Sequence, residues 1–229
     1  KEILKLFAEN KAKVYACVRK INDGFLQDIK TLEKNNQNKI IPIEFDLNNE
    51  IEVKNAANQI IKSEKKIDII VNNAGSIHTS IFQMTSSKVI REIFEVNFFS
   101  QSIFTQSLIK LMIKNNKGSI VFISSSSAID GNEGRSAYSS SKAAINTLAK
   151  TLSQELGKFK IRVNAIAPGL TDTDMMKKNT PDNILNEVVS SLSLKRVAKP
   201  VEIANVALLL SSDLMSYVTG QVIRVDGGM

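Results

Sequence analysis

The stretch Ser119-Ile120-Val121-Phe122-Ile123, followed by four serines and then by a helical pattern over residues 136–157, decides the fold. Five β-prone residues with no polar alternation predict a short strand buried on both faces, as in a parallel sheet. The same kind of run recurs at residues 13–18, 40–45, 67–71, 161–167 and 221–225. Amphipathic patterns lie between these runs, at residues 21–33, 51–63, 86–114, 136–157 and 200–210. Strand and helix in alternation require right-handed crossovers, which build an α/β, doubly wound parallel sheet with helices on both faces. The segment 171–199 breaks this rhythm and carries no strong strand signal. It reads either as a mobile lid over a binding crevice or as a pair of surface helices.

The chain has 229 residues, 43% of them hydrophobic, which suits one domain spanning residues 1–229. No apolar run approaches the ~20 residues of a membrane span. The net charge of +7 comes from scattered lysines with no interleaved aromatics, a pattern of a solvated surface rather than a nucleic-acid groove. The single cysteine, Cys17, permits no intrachain disulfide and no cysteine-based zinc site, and the lone His78 cannot build a histidine-rich one, so no metal is expected. This usage fits a reducing, cytoplasmic setting.

Chemistry concentrates in Tyr138-Ser139-Ser140-Ser141-Lys142. A tyrosine four residues before a lysine shares its helix face. A phenol with an ordinary pKa near ~10 is expected to drop toward neutrality beside an ammonium. Such a pair can give a proton to a carbonyl oxygen or take one from an alcohol. Ser125 lies thirteen residues upstream of Tyr138, at the end of the 119–123 run. Asn72-Asn73-Ala74-Gly75 ends the 67–71 run, Asn97 falls in the next helical segment, Ala167-Pro168-Gly169 ends the 161–167 run, and Asp226-Gly227-Gly228 sits near the last residue.

This ordered set resembles the short-chain dehydrogenase/reductase family over the whole chain. Within it, the chain is similar to the 3-oxoacyl-(acyl-carrier-protein) reductases. The resemblance implies a Rossmann-like, NAD(P)-binding domain. It makes Tyr138 the general acid, Lys142 the residue that lowers the Tyr138 pKa and holds the nicotinamide ribose, and Ser125 the donor to the developing oxyanion. Asn97 completes the tetrad and distorts its helix. Asp46 and Leu47 match the adenine contact; Asn73, Ala74 and Gly75 line the cofactor path. Pro168 and Gly169 precede the nicotinamide, and Thr173, or else Thr171, contacts its carboxamide. The 13–18 strand ends in Val18-Arg19-Lys20 with no carboxylate for a ribose 2′-OH, so Arg19 is expected to favour NADPH over NADH by forking onto the 2′-phosphate.

The implied substrate is a 3-oxoacyl thioester on an acidic acyl carrier protein, docked on lysines such as Lys114, Lys117, Lys158 and Lys160. A small ketone, as in the tropinone reductases, is the alternative, and a non-catalytic nucleotide-binding scaffold is the reading of another class. The family expectation is a homotetramer paired through the 86–114 and 136–157 helices. Relatives place a strand and a Thr-Gly-x-x-x-Gly-x-Gly loop before the helix that opens at residues 1–7, and neither is present here. The expectation is a truncated domain that lacks its first strand, either as a fragment of a longer protein, the favoured reading, or as a natural degenerate member of the family. A further ~15–20 residues of strand and glycine loop are then expected upstream in the gene. Alone, the chain is expected to aggregate or stay molten and to bind NADPH poorly.

Overall fold

The computed structural model describes residues 1–229 as two parallel sheets sharing one set of covering helices. The chain opens with α1 (Glu2–Glu9), then β1 (Val14–Val18), α2 (Asp23–Asn36), β2 (Ile40–Glu44) and α3 (Glu50–Ser63). Next come β3 (Ile69–Asn72), α4 (Ser87–Phe94), a π-helical turn at Glu95–Phe99, α5 (Ser100–Asn115) and β4 (Gly118–Ile123). The short α6 (Ser127–Asp130), α7 (Ser136–Leu156), β5 (Ile161–Pro168), α8 (Asp174–Asn179), α9 (Asp182–Ser191), α10 (Pro200–Ser211) and β6 (Val222–Val225) complete it. Every ladder is parallel: β1 pairs β2, while β3, β4, β5 and β6 form the second sheet in that order. No ladder joins the pair to the four. The break separates β1 from β3, the two strands that flank the absent one in the sequence reading.

Period-two side-chain alternation explains why β4 is buried along its whole length. Ile120 and Phe122 face a core built with Val53, Ile60, Leu108, Met112, Ile145 and Ala149 of α3, α5 and α7. Val121 and Ile123 face the other side, against Ile203, Ala207 and Leu210 of α10 and Ile3 of α1. Helices on both faces also hold the two sheets side by side. Val53 and Ile60 of α3 share one cluster with Ile43 of β2 and Ile70 of β3. On the opposite side α1 sends Ile3 to the larger sheet and Leu4 and Ala8 to β1 and β2.

Element boundaries differ from the sequence reading for local reasons. The second helix begins at Asp23, not residue 21, because the Asn22 side chain accepts from Phe25 N and caps it. Residues 67 and 68 precede β3, which instead runs on to Asn72. The continuous helical pattern over 86–114 is interrupted by the π turn that contains Asn97. The 171–199 segment folds as two helices, α8 and α9, pinned by an isolated bridge between Thr171 and Ala198.

Candidate active site

In an open α/β sheet the ligand crevice lies beyond the carboxyl ends of the strands. The loop after β4 starts there. Ser124 N donates to Ile166 O at 2.7 Å and Ser126 N to Pro168 O at 2.9 Å, so the serine run is tied to the end of β5 on both sides of Ser125. The Ser125 hydroxyl accepts from Ser127 N at 3.2 Å, which fixes its rotamer at the start of α6. Ser125 and Tyr138 are 8% and 9% exposed, so both are nearly enclosed by the surrounding packing.

Lys142 is buried one helical turn beyond Tyr138, and its Nζ donates to the terminal β4 carbonyl, Ile123 O, at 2.7 Å. Burial pulls this ammonium down from 10.5 to about 8. The expectation that it lowers the Tyr138 pKa is not met. Burial raises the phenol above its ordinary value, while the neighbouring Ser125 hydroxyl and the charge of Arg135 act in the opposite direction. The physical reason is direction: the lysine stem carries its charge to the strand carbonyl, and the cation that acts on the phenol is Arg135.

Asn97 shows why its helix is distorted. Its Oδ1 accepts from Ser76 N at 2.7 Å, and its Nδ2 donates to Ser76 O at 2.8 Å and to Ser141 Oγ at 2.9 Å. A fully buried amide that reads both backbone groups of one residue must face the loop after β3 squarely, and the π turn supplies that rotation. The same loop is held by Gln101 Nε2, which donates to Ala74 O at 2.7 Å, and by Asn72 Nδ2, which donates to Thr105 Oγ1 at 2.9 Å. Gly75 lies between Asn97 and Lys142. A Cβ built there would sit 3.4 Å from Asn97 Oδ1 and 3.3 Å from Lys142 Nζ, tighter than side chains ordinarily tolerate. Asn73 follows β3 directly, on the exposed side of this loop.

The other predicted contacts occupy the remaining strand ends. Arg19 follows β1, is largely exposed, and holds Asp46 loosely, Nε to Oδ2 at 3.7 Å. Asp46 is kept below the usual carboxylate range mainly by the Asn48 backbone N–H. Leu47 contributes a carbonyl that accepts from Ser100 Oγ at 2.5 Å. Pro168 ends β5. Gly169 passes so close to β6 that a Cβ would stand 2.8 Å from Asp226 Cα. Thr171 Oγ1 donates to Gly169 O at 3.2 Å, and Thr173 caps α8 by accepting from Met176 N at 3.2 Å. Thr173 therefore has a structural bond in addition to its expected place in the crevice.

Sequence reasoning missed Ser76, Gln101, Ser141 and Arg135. The first three are polar residues whose partners are distant in the chain, so no local pattern marks them. Arg135 carried one unused signal, its position one turn ahead of Tyr138.

The whole chain, residues 1–229, matches the family profile described as enoyl-(acyl carrier protein) reductase. A solved structure of a short chain dehydrogenase/reductase family protein superposes with a TM-score of 0.87 at 30% identity, covering 99% of this chain and 90% of that one. The chain belongs to the short-chain dehydrogenase/reductase family. Within the family it is 44% identical over 163 residues to the 3-oxoacyl-(acyl-carrier-protein) reductase FabG of Chlamydia trachomatis, covering 71% of this chain. That match spans 65% of the chlamydial protein, just under two thirds of its length. It is 38% identical over 170 residues to a 3alpha-hydroxysteroid dehydrogenase of Mediterraneibacter gnavus, covering 74% of this chain and 68% of that protein.

The residues present fit a nicotinamide dinucleotide at both ends of the crevice. A buried ammonium of lowered pKa stands beside a glycine at the β3 end, and an exposed guanidinium with only a loose partner stands at the β1 end. The glycine-rich turn that would meet the pyrophosphate is not among these residues.

Proposed function

We propose that this protein is a single-domain, NADPH-dependent reductase that converts a carbonyl to a hydroxyl, with a 3-oxoacyl thioester on acyl carrier protein as its substrate, as in fatty acid synthesis. The observation that carries the reading is the convergence of Ser125, Tyr138, Lys142 and Asn97 at the carboxyl end of β4, all of them at least 91% buried (8%, 9%, 3% and 0% exposed). When bound, the nicotinamide cofactor supplies the hydride, which is its own chemistry. The chain's residues do the rest. The Tyr138 phenol stays protonated at neutral pH because burial raises its pKa, so it acts as the proton donor to the substrate oxygen. Ser125 donates a hydrogen bond to the same oxygen as charge develops, in a site with little water to compete. Lys142 sits where a ribose hydroxyl can take its proton contact, and the Asn97 amide holds the loop that borders it. Arg19 and Asp46 receive the adenosine end, with Arg19 reading the 2′-phosphate. Asn73, Ala74 and Gly75 border the dinucleotide path, and Pro168, Gly169, Thr171 and Thr173 the nicotinamide. A cytoplasmic homotetramer is the assembly that accords with this reading.

The hydroxysteroid dehydrogenase among the relatives favours a second reading, an alcohol dehydrogenase of bulkier substrates. One experiment tests the chemistry and another the substrate. Tyr138→Phe keeps the ring and removes the transferable proton, so kcat is expected to fall by about 10²–10⁴ with cofactor affinity retained. Near-normal turnover in this variant refutes the assignment. A panel of acetoacetyl thioesters against simple and cyclic ketones decides the substrate class.

A further inference from the structure

We infer that Arg224 and Asp226 are positioning residues that couple the serine loop carrying Ser125 to the end of α9, so that the loop and the α8–α9 segment move as one body. The inference goes beyond the reductase reading and uses it only for the role of Ser125 in turnover.

The link is a continuous chain of hydrogen bonds. It starts in the serine loop, which α6 extends to Asp130. The β5 bonds hold the near end of that loop, at Ser124 and Ser126, and Arg224 holds its far end. Both Asp130 oxygens accept from the Arg224 fork, each at 2.7 Å. The third guanidinium nitrogen, Nε, donates to Asp226 Oδ2 at 2.5 Å. Asp226 Oδ1 accepts from Gly228 N at 3.1 Å, which folds the turn after β6 back onto the same carboxylate. That turn offers two carbonyls to the residues that follow α9. Gly227 O accepts from Leu194 N at 3.0 Å, and Gly228 O accepts from Ser193 N at 3.3 Å and from Ser193 Oγ at 3.1 Å. Their neighbour Leu192 is 1% exposed, so packing anchors this end of α9 as well.

The other root of the α8–α9 segment rests on the same strand end. Gly169 N donates to Val225 O at 3.0 Å, and the close approach of Gly169 to Asp226 leaves no room for a side chain. Both roots therefore sit on the end of β6 and its turn. The residue types suit a coupling. A lysine is a point charge and serves one carboxylate at a time. A guanidinium is a rigid plane with Nε on one edge and the Nη pair on another, so a displacement of Asp130 is carried to Asp226. The Asp226 side chain is only 10% exposed, which shields the inner pair from solvent screening. Gly227 and Gly228 hold φ at +71° and +79°, a region open to glycine without steric cost. A Cβ on Gly228 would also run into the Ser193 side chain.

Coupling is reciprocal, so each end must respond to a change at the other. Hydrogen–deuterium exchange on the intact protein tests this at residues 124–130, at residues 192–195 and, as a reference, in β1. Gly228→Ala strikes the α9 end and touches neither Arg224 nor Asp130. Arg224→Gln strikes the serine-loop end and touches nothing in α9. Each is expected to speed exchange about tenfold in both segments, the loss of a charge-assisted bond or a forced turn, with β1 unchanged. A rise confined to the segment beside each substitution overturns the inference. So does a uniform rise that includes β1, because the contacts then only support the whole fold. Arg224→Lys keeps the charge but cannot hold both carboxylates, and a lysine that restores protection at residues 192–195 overturns the bridging role. If Gly228→Ala does not fold, Ser193→Ala removes one side-chain bond, and a rise of about twofold at residues 124–130 is required of it. With an acetoacetyl thioester, Gly228→Ala and Arg224→Gln are both expected to lower kcat more than they raise KM. Coupled exchange in a protein that reduces no carbonyl compound refutes the proposed function and supports the coupling, whereas uncoupled exchange in an active reductase refutes the coupling alone.

Discussion

Replacing Lys142 by methionine is expected to stabilise the fold at neutral pH and destabilise it at high pH. Burial lowers the ammonium from 10.5 to about 8. At roughly 1.4 kcal/mol per pH unit, the charged form therefore costs the folded state about 3 kcal/mol. Below pH 8 the folded and unfolded chains both carry the proton, so that cost is present in full. Between pH 8 and 10.5 the folded chain gives up its proton first, the unfolded chain binds more protons, and wild-type stability rises with pH. Above 10.5 both forms are neutral and the cost is gone. Methionine is near in length and removes the charge at every pH, but it also removes the bond from Nζ to Ile123 O. A lost neutral bond and its stranded carbonyl are worth about 1–2 kcal/mol. The variant should then be more stable than wild type by about 1–2 kcal/mol at pH 7, and less stable by about the same amount near pH 10.5. Urea denaturation of both proteins at pH 7, 8, 9 and 10 measures the difference, in which every other titrating group cancels. A difference that stays constant within about 1 kcal/mol across that range would refute the placement of a buried charge at Lys142.

Three further outcomes follow from named contacts. Arg19→Ala is expected to erase most of the preference for NADPH over NADH, read as the ratio of kcat/KM for the two cofactors; equal values in the wild-type enzyme would reject the role. Asn97→Leu strands Ser76 N, Ser76 O and Ser141 Oγ, so unfolding by denaturant should show a loss of about 3–5 kcal/mol, and a loss under 1 kcal/mol would mean the π turn does not depend on the amide. Arg224 forks onto Asp130 at 2.7 Å through each of two nitrogens and onto Asp226 at 2.5 Å, tying the end of α6 to β6. Arg224→Ala should speed amide exchange across residues 124–130 and lower kcat more than it raises KM, whereas unchanged exchange there would show that the serine loop is held by its β5 bonds alone.

The sheet was legible because its strands are buried on both faces. A strand such as Ile120 to Ile123 meets a helix on either side, so every position is apolar and the run stands out from its surroundings. The helices were legible through their one-sided apolar pattern, and the first of them through Ile3, Leu4 and Phe7. Boundaries were less so, since they depend on caps. Asn22 sets the start of α2 with one side-chain bond, and nothing in hydrophobic spacing marks it. The π turn at Glu95–Phe99 is a sharper case. Periodicity runs straight through residues 86–114, and the interruption comes from Ser76, twenty-one residues upstream of Asn97, whose two backbone groups dictate where the amide must point.

The site divides in the same way between what spacing reveals and what only packing decides. Tyr138 and Lys142 are one turn apart, so the sequence places them on one face, and the structure does too. Spacing on a helix fixes where a Cα lies, but a four-carbon stem can deliver its charge several ångströms from there. In this chain the β4 carbonyl of Ile123 receives it, and the phenol is left to a cation that the motif does not contain. That cation, Arg135, sits three residues ahead of the tyrosine, on the same helical repeat read in the other direction. The charge that acts on Tyr138 therefore comes from the residue ahead of it and not from the lysine that follows it. Lys142 is held in reserve beside Gly75 and Asn97, and Arg135 acts on the phenol from the α8 wall. A substitution at Arg135 should therefore be felt in the titration of the phenol, and one at Lys142 in the pH dependence of folding.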